Sequence, residues 1–483
     1  MTALRKTMTP QPASRRPTSM AVRAALIITV SLALAIASQL VAAGRPNPFA
    51  SPTTPPAGLT DPGAGGVLPA VVDLDVGAGA GTATDEDTTR IRANIAFWAA
   101  KLGAHPNDFV AAEKLGESQI ELARATGDLS ALGAADEAFD TALRLYPGMP
   151  AARAFKGVVL VSLHEFAEAR TLALTTLSDA PDDPTSLATL GDANLELGDV
   201  AAARTAYERL AVVAPGSAAS VRLGHLAFIS GDTAAAVRHA RAAVVQSDAD
   251  EDGVGERAGF YRYQLADTLL ATGDRRAAEA AYRDAIKHDP RSFLAHAGLG
   301  RVLAADGDLD AAIKELSVAI AIVPQPDMLA RRADLYQLRN GSGDAQRSGL
   351  DRQTVLAIAE LGSAAGGVYD RTLTIYLANH DLESARAVTI ATAELETRKD
   401  VYGYDALAWA LLADGRAAEA DSAMQRALEF GTTDAKLLYH AGMIGLALGD
   451  TERARVQLRA ALDLDPSFDA LQAQRARDAL AGL

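Results

Sequence analysis

Acidic residues and glycine gather in the stretch SDADEDGVGE, residues 247–256, and their order matches the opening of a calcium-binding loop. The matching residues, at the first, third, fifth and sixth positions, are Asp248, Asp250, Asp252 and Gly253. A loop of this kind needs a bidentate carboxylate at its twelfth position, but that residue is Gly259. We therefore expect an exposed loop here, and neither a metal nor a cofactor in the protein.

The histidines lack the spacing that a catalytic metal site requires. His164 and Glu165 begin an H-E-x-x-H zinc motif, but Glu168 stands where the second histidine belongs. The chain has no cysteine, which removes thiolate ligands and cysteine nucleophiles. The nucleophile motif G-x-S-x-G and the phosphate-binding motif G-x-x-x-x-G-K do not occur. These absences predict a protein that is not an enzyme.

Charge is unevenly distributed along the chain. The net charge is −15, yet residues 1–45 carry six basic residues and no acidic one, which leaves −21 on the remainder. An acidic body of this kind repels the phosphates of nucleic acids. We therefore exclude nucleic acid as a partner.

An uncharged segment lies near the N-terminus. Residues 24–43 read AALIITVSLALAIASQLVAA, about the length that crosses a bilayer as a helix. They are either a retained transmembrane anchor or part of a cleaved signal peptide, since Val41-Ala42-Ala43 is an acceptable cleavage site. Because only basic residues precede the segment, we expect residues 1–23 in the cytoplasm and the body outside it, membrane-anchored or secreted. Residues 44–86, rich in Pro, Gly and Ala, predict a flexible linker.

The rest of the chain repeats with a period of 34 residues. The stretch LGDANLELGDVAAARTAYERLAVVAP, residues 190–215, returns in altered form as LGRVLAADGDLDAAIKELSVAIAIVP, residues 299–324. Each copy has two helical patterns, a Gly-Asp pair between them and a final proline. Glycine suits the end of the first helix, aspartate can begin the second, and proline stops it. One such hairpin cannot bury its apolar face alone, so the copies must stack.

This pattern resembles the tetratricopeptide repeat family over residues 107–466. The predicted fold class is all-α: an α-solenoid of about nine to ten helix hairpins, preceded by the N-terminal membrane or signal helix and the linker. Residues 87–106 are expected to form a packing helix and residues 467–483 a capping helix. His164 and His380 stand where the turn glycine belongs. The second-helix pattern is lost near residues 328–361, so the register around 328–370 stays open.

The resemblance implies that the first helix of each hairpin lines a concave groove in which a peptide or protein segment lies. Transferring the frame of the family places seven candidate contact residues on that groove, namely Asp192, His225, Tyr263, Asp267, Arg301, Trp409 and Tyr439. Tyrosine, tryptophan and arginine are the residue types that most often anchor partners. We expect a non-catalytic scaffold for protein–protein interaction. The alternatives are a self-associating envelope subunit and an accessory regulator of a separate enzyme, since a fold does not fix a function.

Overall fold

The computed structural model describes residues 85–126, 128–250, 256–364 and 370–483, and all regular secondary structure in these ranges is α-helical. The 22 helices are α1 (Asp85–Ala104), α2 (Phe109–Thr126), α3 (Leu129–Leu145), α4 (Pro150–Ser162), α5 (Phe166–Asp179), α6 (Pro184–Glu196), α7 (Val200–Val213), α8 (Ser217–Ile229), α9 (Thr233–Asp250), α10 (Glu256–Ala271), α11 (Arg275–His288), α12 (Phe293–Ala305), α13 (Leu309–Ile322), α14 (Pro326–Arg339), α15 (Asp344–Ala364), α16 (Asp370–Asn379), α17 (Ser384–Glu394), α18 (Val401–Ala413), α19 (Ala417–Ala427), α20 (Ala435–Ala447), α21 (Thr451–Leu464) and α22 (Gln472–Gly482).

Helices α2 to α21 pair in sequence as ten hairpins, which we number units 1 to 10, each with a helix A and a helix B. Unit 1 is α2 and α3, and unit 10 is α20 and α21. Helix α1 packs on α2 at one end and α22 packs on α21 at the other. Helices A of neighbouring units contact one another, which places them on the inner side of the array. The predicted all-α solenoid is confirmed for the described residues.

The turns within the hairpins follow the Gly-Asp pattern. In unit 3, Gly198 has φ +84°, a left-handed conformation that glycine adopts without strain. The next residue, Asp199, caps helix B by accepting a hydrogen bond from the amide of Ala202 at 3.0 Å. His164 takes the same left-handed conformation, with φ 62°, in unit 2. In unit 8 the residue in that conformation is Asp381, not His380, so the predicted turn position there was one residue early.

Unit 7 has a full second helix. Helix α15 covers Asp344–Ala364, where the sequence pattern predicted that the second helix is lost. Val355 and Ala359 of α15 join the same core as Leu329 and Leu335 of α14. Packing against its neighbours therefore forms the helix where its own periodicity is weak.

The array closes on itself. The amide of Lys399, before unit 9, donates a hydrogen bond of 2.7 Å to the carbonyl of Glu196 in the turn of unit 3. The Thr432 hydroxyl, before unit 10, donates one of 2.6 Å to the carbonyl of Ile229 in the turn of unit 4. The Ser467 hydroxyl, after unit 10, donates to the carbonyl of Ala305 at 3.4 Å. The superhelix therefore completes a turn in about six units and encloses an inner channel lined by helices A.

The apolar segment at residues 24–43 lies outside the described residues, as do the basic N-terminal stretch and residues 44–84 of the linker. Residues 85 and 86, which were assigned to the linker, begin helix α1. Among the helices that are described, none has the length and apolar character needed to span a bilayer.

Candidate partner-binding surface

An aspartate, a tyrosine and an arginine meet on the inner face between units 5 and 6. Asp267 lies on helix A of unit 5, Tyr282 on helix B of the same unit and Arg301 on helix A of unit 6. The Tyr282 hydroxyl donates a 2.9 Å hydrogen bond to Asp267 Oδ1, and Arg301 Nη2 donates to both Asp267 and the Tyr282 oxygen, the latter at 2.7 Å. The Asp267 and Arg301 side chains keep 38% and 31% of their surface exposed, so this cluster can still be reached by a partner.

Charge pairing sets the electrostatics of this cluster. Burial opposes ionisation of Asp267, but the nearby Arg301 charge and the hydrogen bonds from Tyr282 and Arg301 outweigh it and lower the pKa of Asp267. Burial likewise disfavours the charged form of Arg301, yet Asp267 raises the pKa of Arg301 well above its usual value. Both groups are therefore charged at neutral pH, and the pair can offer a partner one positive and one negative edge.

A similar cluster lies between units 3 and 4, but it is buried. The Tyr207 hydroxyl donates to Asp192 Oδ1 at 2.8 Å. Arg222 binds the same carboxylate with two hydrogen bonds, from Nε at 2.8 Å and from Nη2 at 2.7 Å. The side chains of Asp192 and Arg222 are only 4% and 3% exposed. Asp192 therefore joins adjacent units and is closed to a partner in this conformation.

Tyr263 lies beside the exposed cluster, and His225 holds the position in the neighbouring unit that corresponds to Asp267. Tyr263 is partly exposed, and its ring lies 6.4 Å from that of Tyr282. His225, on helix A of unit 4, is also partly exposed. Together with Asp267 and Arg301 they form a polar and aromatic patch, which we call the inner patch.

The two aromatic candidates of the last units are buried. Trp409 is 6% exposed and Tyr439 is fully buried. The Trp409 indole donates a 2.8 Å hydrogen bond to Asn379, and its ring centroid lies 5.5 Å from that of Tyr439. Phe468, which precedes α22, packs against the other side of Tyr439. These two residues hold the end of the array together, and the candidate residues that remain accessible are those of the inner patch.

Comparison with known proteins places the repeats in a family. One model of the tetratricopeptide repeat matches residues 120–184, 188–252 and 263–325, and a second model of this repeat matches residues 435–468. The chain contains tetratricopeptide repeats (TPRs). The helix hairpins of units 1 to 6 and of unit 10 are thus TPR units by sequence as well as by fold.

Solved structures are similar to the chain at low sequence identity. A thermophilic TPR protein of Thermus thermophilus is 19% identical with a TM-score of 0.34, covering 44% of this chain and 99% of that one. A TPR protein of Parabacteroides merdae is 17% identical with a TM-score of 0.31, covering 54% and 96%. The human IFIT1 dimer with PPP-AAAA is 13% identical with a TM-score of 0.41, covering 79% and 95%. No curated protein matches the sequence.

Two cationic residues of the TPR channel were not among the sequence candidates. Lys436, at the start of helix A of unit 10, lies within electrostatic range of Arg331 of unit 7 and Arg301 of unit 6. The charge of Arg331, followed by burial, lowers the pKa of Lys436. Unit 10 thus lies close to units 6 and 7 across the channel. The repeat frame could not show this, because it relates neighbouring units only.

The acidic stretch at residues 247–256 was predicted to be an exposed loop, but its first four residues belong to helix α9 of unit 4, where Ser247 is buried, and Glu256 begins helix α10 of unit 5. Helix α9 extends to Asp250, and residues 251–255 lie outside the described part. The Asp248 carboxylate pairs with Arg262 at 2.9 Å. Within the described ranges, no group of three or more acidic or histidine side chains is arranged to hold a metal ion.

Two titratable groups in units 7 and 8 give opposite pH dependences of the free energy of unfolding. Asp334 Oδ1 lies 3.6 Å from His380 Nε2, and both side chains are mostly buried. Burial, aided by the charge of Asp469, raises the pKa of Asp334 to about 6. Burial, aided by Arg352, lowers the pKa of His380 to about 4. The raised carboxyl pKa stabilises the fold below pH 4 and loses this effect as the pH rises to about 6, whereas the lowered imidazole pKa acts in the opposite sense over the same range.

The two effects therefore nearly cancel in the native protein between about pH 4 and pH 6. In His380→Asn, the free energy of unfolding should fall by about 2–3 kcal/mol between about pH 4 and pH 6, relative to the native protein, at about 1.4 kcal/mol per pKa unit. In Asp334→Asn it should rise over the same interval by a similar amount. Urea denaturation across this pH range measures both. Identical pH profiles for the two variants would contradict the assigned pKa directions.

Proposed function

We propose that the protein is a non-catalytic scaffold that binds a peptide or protein segment at the inner patch of its TPR superhelix. Proteins built from TPR units generally mediate protein–protein interactions. For this protein, the observation that supports such a function is the inner patch. Its four residues combine an aromatic ring with an ion pair that keeps about a third of its side-chain surface exposed. Such a combination offers both an apolar contact and paired polar contacts to a partner segment.

We further propose that the array works on the extracytoplasmic side of a membrane. The support is in the sequence: an uncharged segment of twenty residues at 24–43, preceded by basic residues only. Protease protection of the array in intact cells, compared with permeabilised cells, tests this placement. Protection that persists after the outer barrier is permeabilised would place the array in the cytoplasm and end this part of the proposal.

Affinity capture with the full chain tests the inner patch. The test variant carries Tyr263→Ala and Arg301→Gln, and the matched control carries Glu279→Ala and Arg283→Ala. The control removes an exposed ion pair from helix α11, on the outer side of the same units. Circular dichroism and thermal unfolding verify that both variants are folded.

We expect captured proteins to be lost with the inner variant and kept with the outer one. The opposite result would move the site to the outer surface and refute the inner patch. A chain that captures only itself, and that forms larger species with rising concentration in ultracentrifugation, would favour a self-associating subunit instead.

A further inference from the structure

The contacts that close the superhelix form a line between two successive turns, which we call the seam. It joins the turns of units 3, 4 and 6 to the segments that precede unit 9, precede unit 10 and follow unit 10, respectively. At its first point, the Arg398 guanidinium bonds to the Glu196 carboxylate from a position 202 residues further along the chain. Arg371 binds Asp400 at 2.7 Å and Glu394 at 2.8 Å beside them. Five ionisable side chains therefore meet at one buried point.

At its second point the seam brings two backbones together. Gly231 and Gly431 face each other so closely that a Cβ added to Gly231 would lie 2.4 Å from the Gly431 carbonyl. Next to it the buried Thr432 hydroxyl bonds to Ile229. Leu195 and Phe228 of the first turn share an apolar cluster with Val401 and Leu437 of the second. Glycine is needed here because any side chain would hold the two turns apart.

The seam differs from the contacts between neighbouring units. Neighbouring units pack helix against helix along their whole length, whereas the seam consists of turns and connecting segments with a small apolar cluster. Its ionic part holds two arginines against three carboxylates. When such a network opens, each charge regains its hydration, so a buried ionic contact favours closure only weakly. The seam is therefore the part of the superhelix that can open while every hairpin stays folded.

Closure bears directly on the inner patch, which lies on units 4 to 6 inside the closed turn. Lys436 of unit 10 lies within electrostatic range of Arg301, so unit 10 lies close to the patch. A partner segment must either thread along the channel or enter from the side between the turns. Lateral entry requires the contacts of Glu196, Ile229 and Ala305 to separate.

We propose that the seam is a reversible closure that controls entry of a partner segment to the inner patch. This inference rests on the proposed function for its biological role, but the opening itself can be measured without a partner. Separation of the turns exposes the channel, and re-formation of the Glu196–Arg398 and Ile229–Thr432 contacts encloses whatever lies in it.

Cysteine labelling of the full chain tests the opening. Because the chain has no cysteine, Tyr263→Cys provides a single thiol in the inner patch. Its modification rate with a polyethylene-glycol maleimide reports entry of a large molecule, and N-ethylmaleimide measures intrinsic reactivity. Added to this reporter, Arg398→Ala should speed modification by the large reagent about tenfold, the factor for about 1.4 kcal/mol. The rate with the small reagent should not change.

Two further variants separate opening from unfolding. Thr432→Val removes one hydrogen bond at the second point of the seam and should also speed modification, by a smaller factor. Arg209→Ala removes an exposed ion pair with Asp182 on the outer surface and should have no effect. If Arg398→Ala also raises the modification rate with the small reagent, that variant is unfolded locally. The result for Thr432→Val then tests the proposal in its place. An unchanged large-reagent rate in the deciding variant would overturn the proposal.

A disulfide across the seam provides the converse test. A Cβ added to Gly198 would lie 3.5 Å from the Lys399 Cβ, within the range of disulfides. Oxidation of Gly198→Cys/Lys399→Cys should slow large-reagent modification at residue 263 relative to the reduced form of the same protein. The added Cβ would also lie 2.8 Å from the Lys399 carbonyl oxygen, so the two turns must shift slightly to admit it. The reduced form carries the same close contact and the same strained φ of +84° at residue 198, which makes it the matched reference. Equal rates in both forms would refute lateral entry.

Binding of the partner captured with the full chain separates this inference from the proposed function. A partner that depends on the inner patch and is excluded by the oxidised seam supports both. A patch-dependent partner that binds equally well to the oxidised form supports the scaffold function and overturns the seam. If labelling confirms opening but no captured protein depends on the inner patch, reversible opening of the seam is supported and the proposed scaffold function is refuted.

Discussion

Arg222→Leu should lower the free energy of unfolding by about 3–5 kcal/mol, because it leaves the Asp192 carboxylate buried without its cation. The guanidinium makes two short hydrogen bonds to Asp192, and only the Tyr207 hydroxyl would remain to compensate. Chemical denaturation followed by circular dichroism measures the loss. Hydrogen exchange at amides of α6 to α8 shows whether it is localised to units 3 and 4, since a long array need not unfold in one step.

Arg209→Leu is the matched control for Arg222→Leu. Arg209 pairs with Asp182 at 2.9 Å, but the two side chains are 46% and 72% exposed. Solvent screening limits an exposed pair of this kind to roughly 0–1 kcal/mol. The double variant Asp192→Leu/Arg222→Leu should recover part of the stability, since no charge is left buried. Equal decreases in the free energy of unfolding for Arg209→Leu and Arg222→Leu would show that burial of the Asp192–Arg222 pair does not affect stability.

The repeat pattern predicted the hairpins because each hairpin is determined by residues close together in sequence. A small residue, a Gly-Asp turn and a proline stop recur within 34 residues, and the local geometry of each follows from its own residue type. Even the exception at His164 follows this rule, since it takes the left-handed conformation that glycine has elsewhere. The fold of one unit, and its stacking on the next, could therefore be read from the sequence.

Closure of the superhelix could not be predicted in this way. Glu196 ends a helix and Arg398 lies in a connecting segment, and nothing in either neighbourhood distinguishes them from exposed charged residues. They meet only because small rotations between successive units add up over about six units. Burial of Trp409 and Tyr439 has a similar cause, since Phe468 and α22 cover them from beyond the last repeat. The repeat frame identified the residues on the inner side of the array, but it could not show which of them remain exposed to a partner.

The two tyrosines at equivalent positions of units 3 and 5 show why equivalent positions can differ in packing. Tyr207 lies against Gly191 of its own unit, and unit 4 carries Arg222 at the position that corresponds to Gly298 of unit 6. Tyr282 instead lies against Gly298 of the next unit. Its own unit has Ala266 at the position where unit 3 has Gly191. Two tyrosine rings at equivalent positions are thus accommodated by glycines at different positions of the repeat. A frame that requires only a small residue at the reference position misses this distinction.

Gly191→Ala should therefore destabilise the array although alanine is the better helix former and stands at the equivalent position of unit 5. Its Cβ would lie 2.1 Å from the Tyr207 ring, and that ring is buried and held by the hydrogen bond to Asp192. Forcing one methyl group into such a site costs about 1–3 kcal/mol. Gly298→Ala should have a similar effect, since its Cβ would lie 2.2 Å from the Tyr282 ring.

Gly349→Ala, in helix α15, is the control for Gly191→Ala because an added Cβ there meets no atom within 4 Å. It should stabilise the protein by roughly 0.5–1 kcal/mol, the usual gain from replacing glycine inside a helix. Chemical denaturation of the three variants thus tests opposite signs for the same substitution. If all three were stabilising, the tyrosine rings would have freedom to move, and neither aspartate–tyrosine–arginine cluster could be as rigid as its hydrogen bonds indicate. Destabilisation confined to Gly191 and Gly298 would instead show that the rigid rings fix the aspartates of both clusters, including Asp267 of the inner patch.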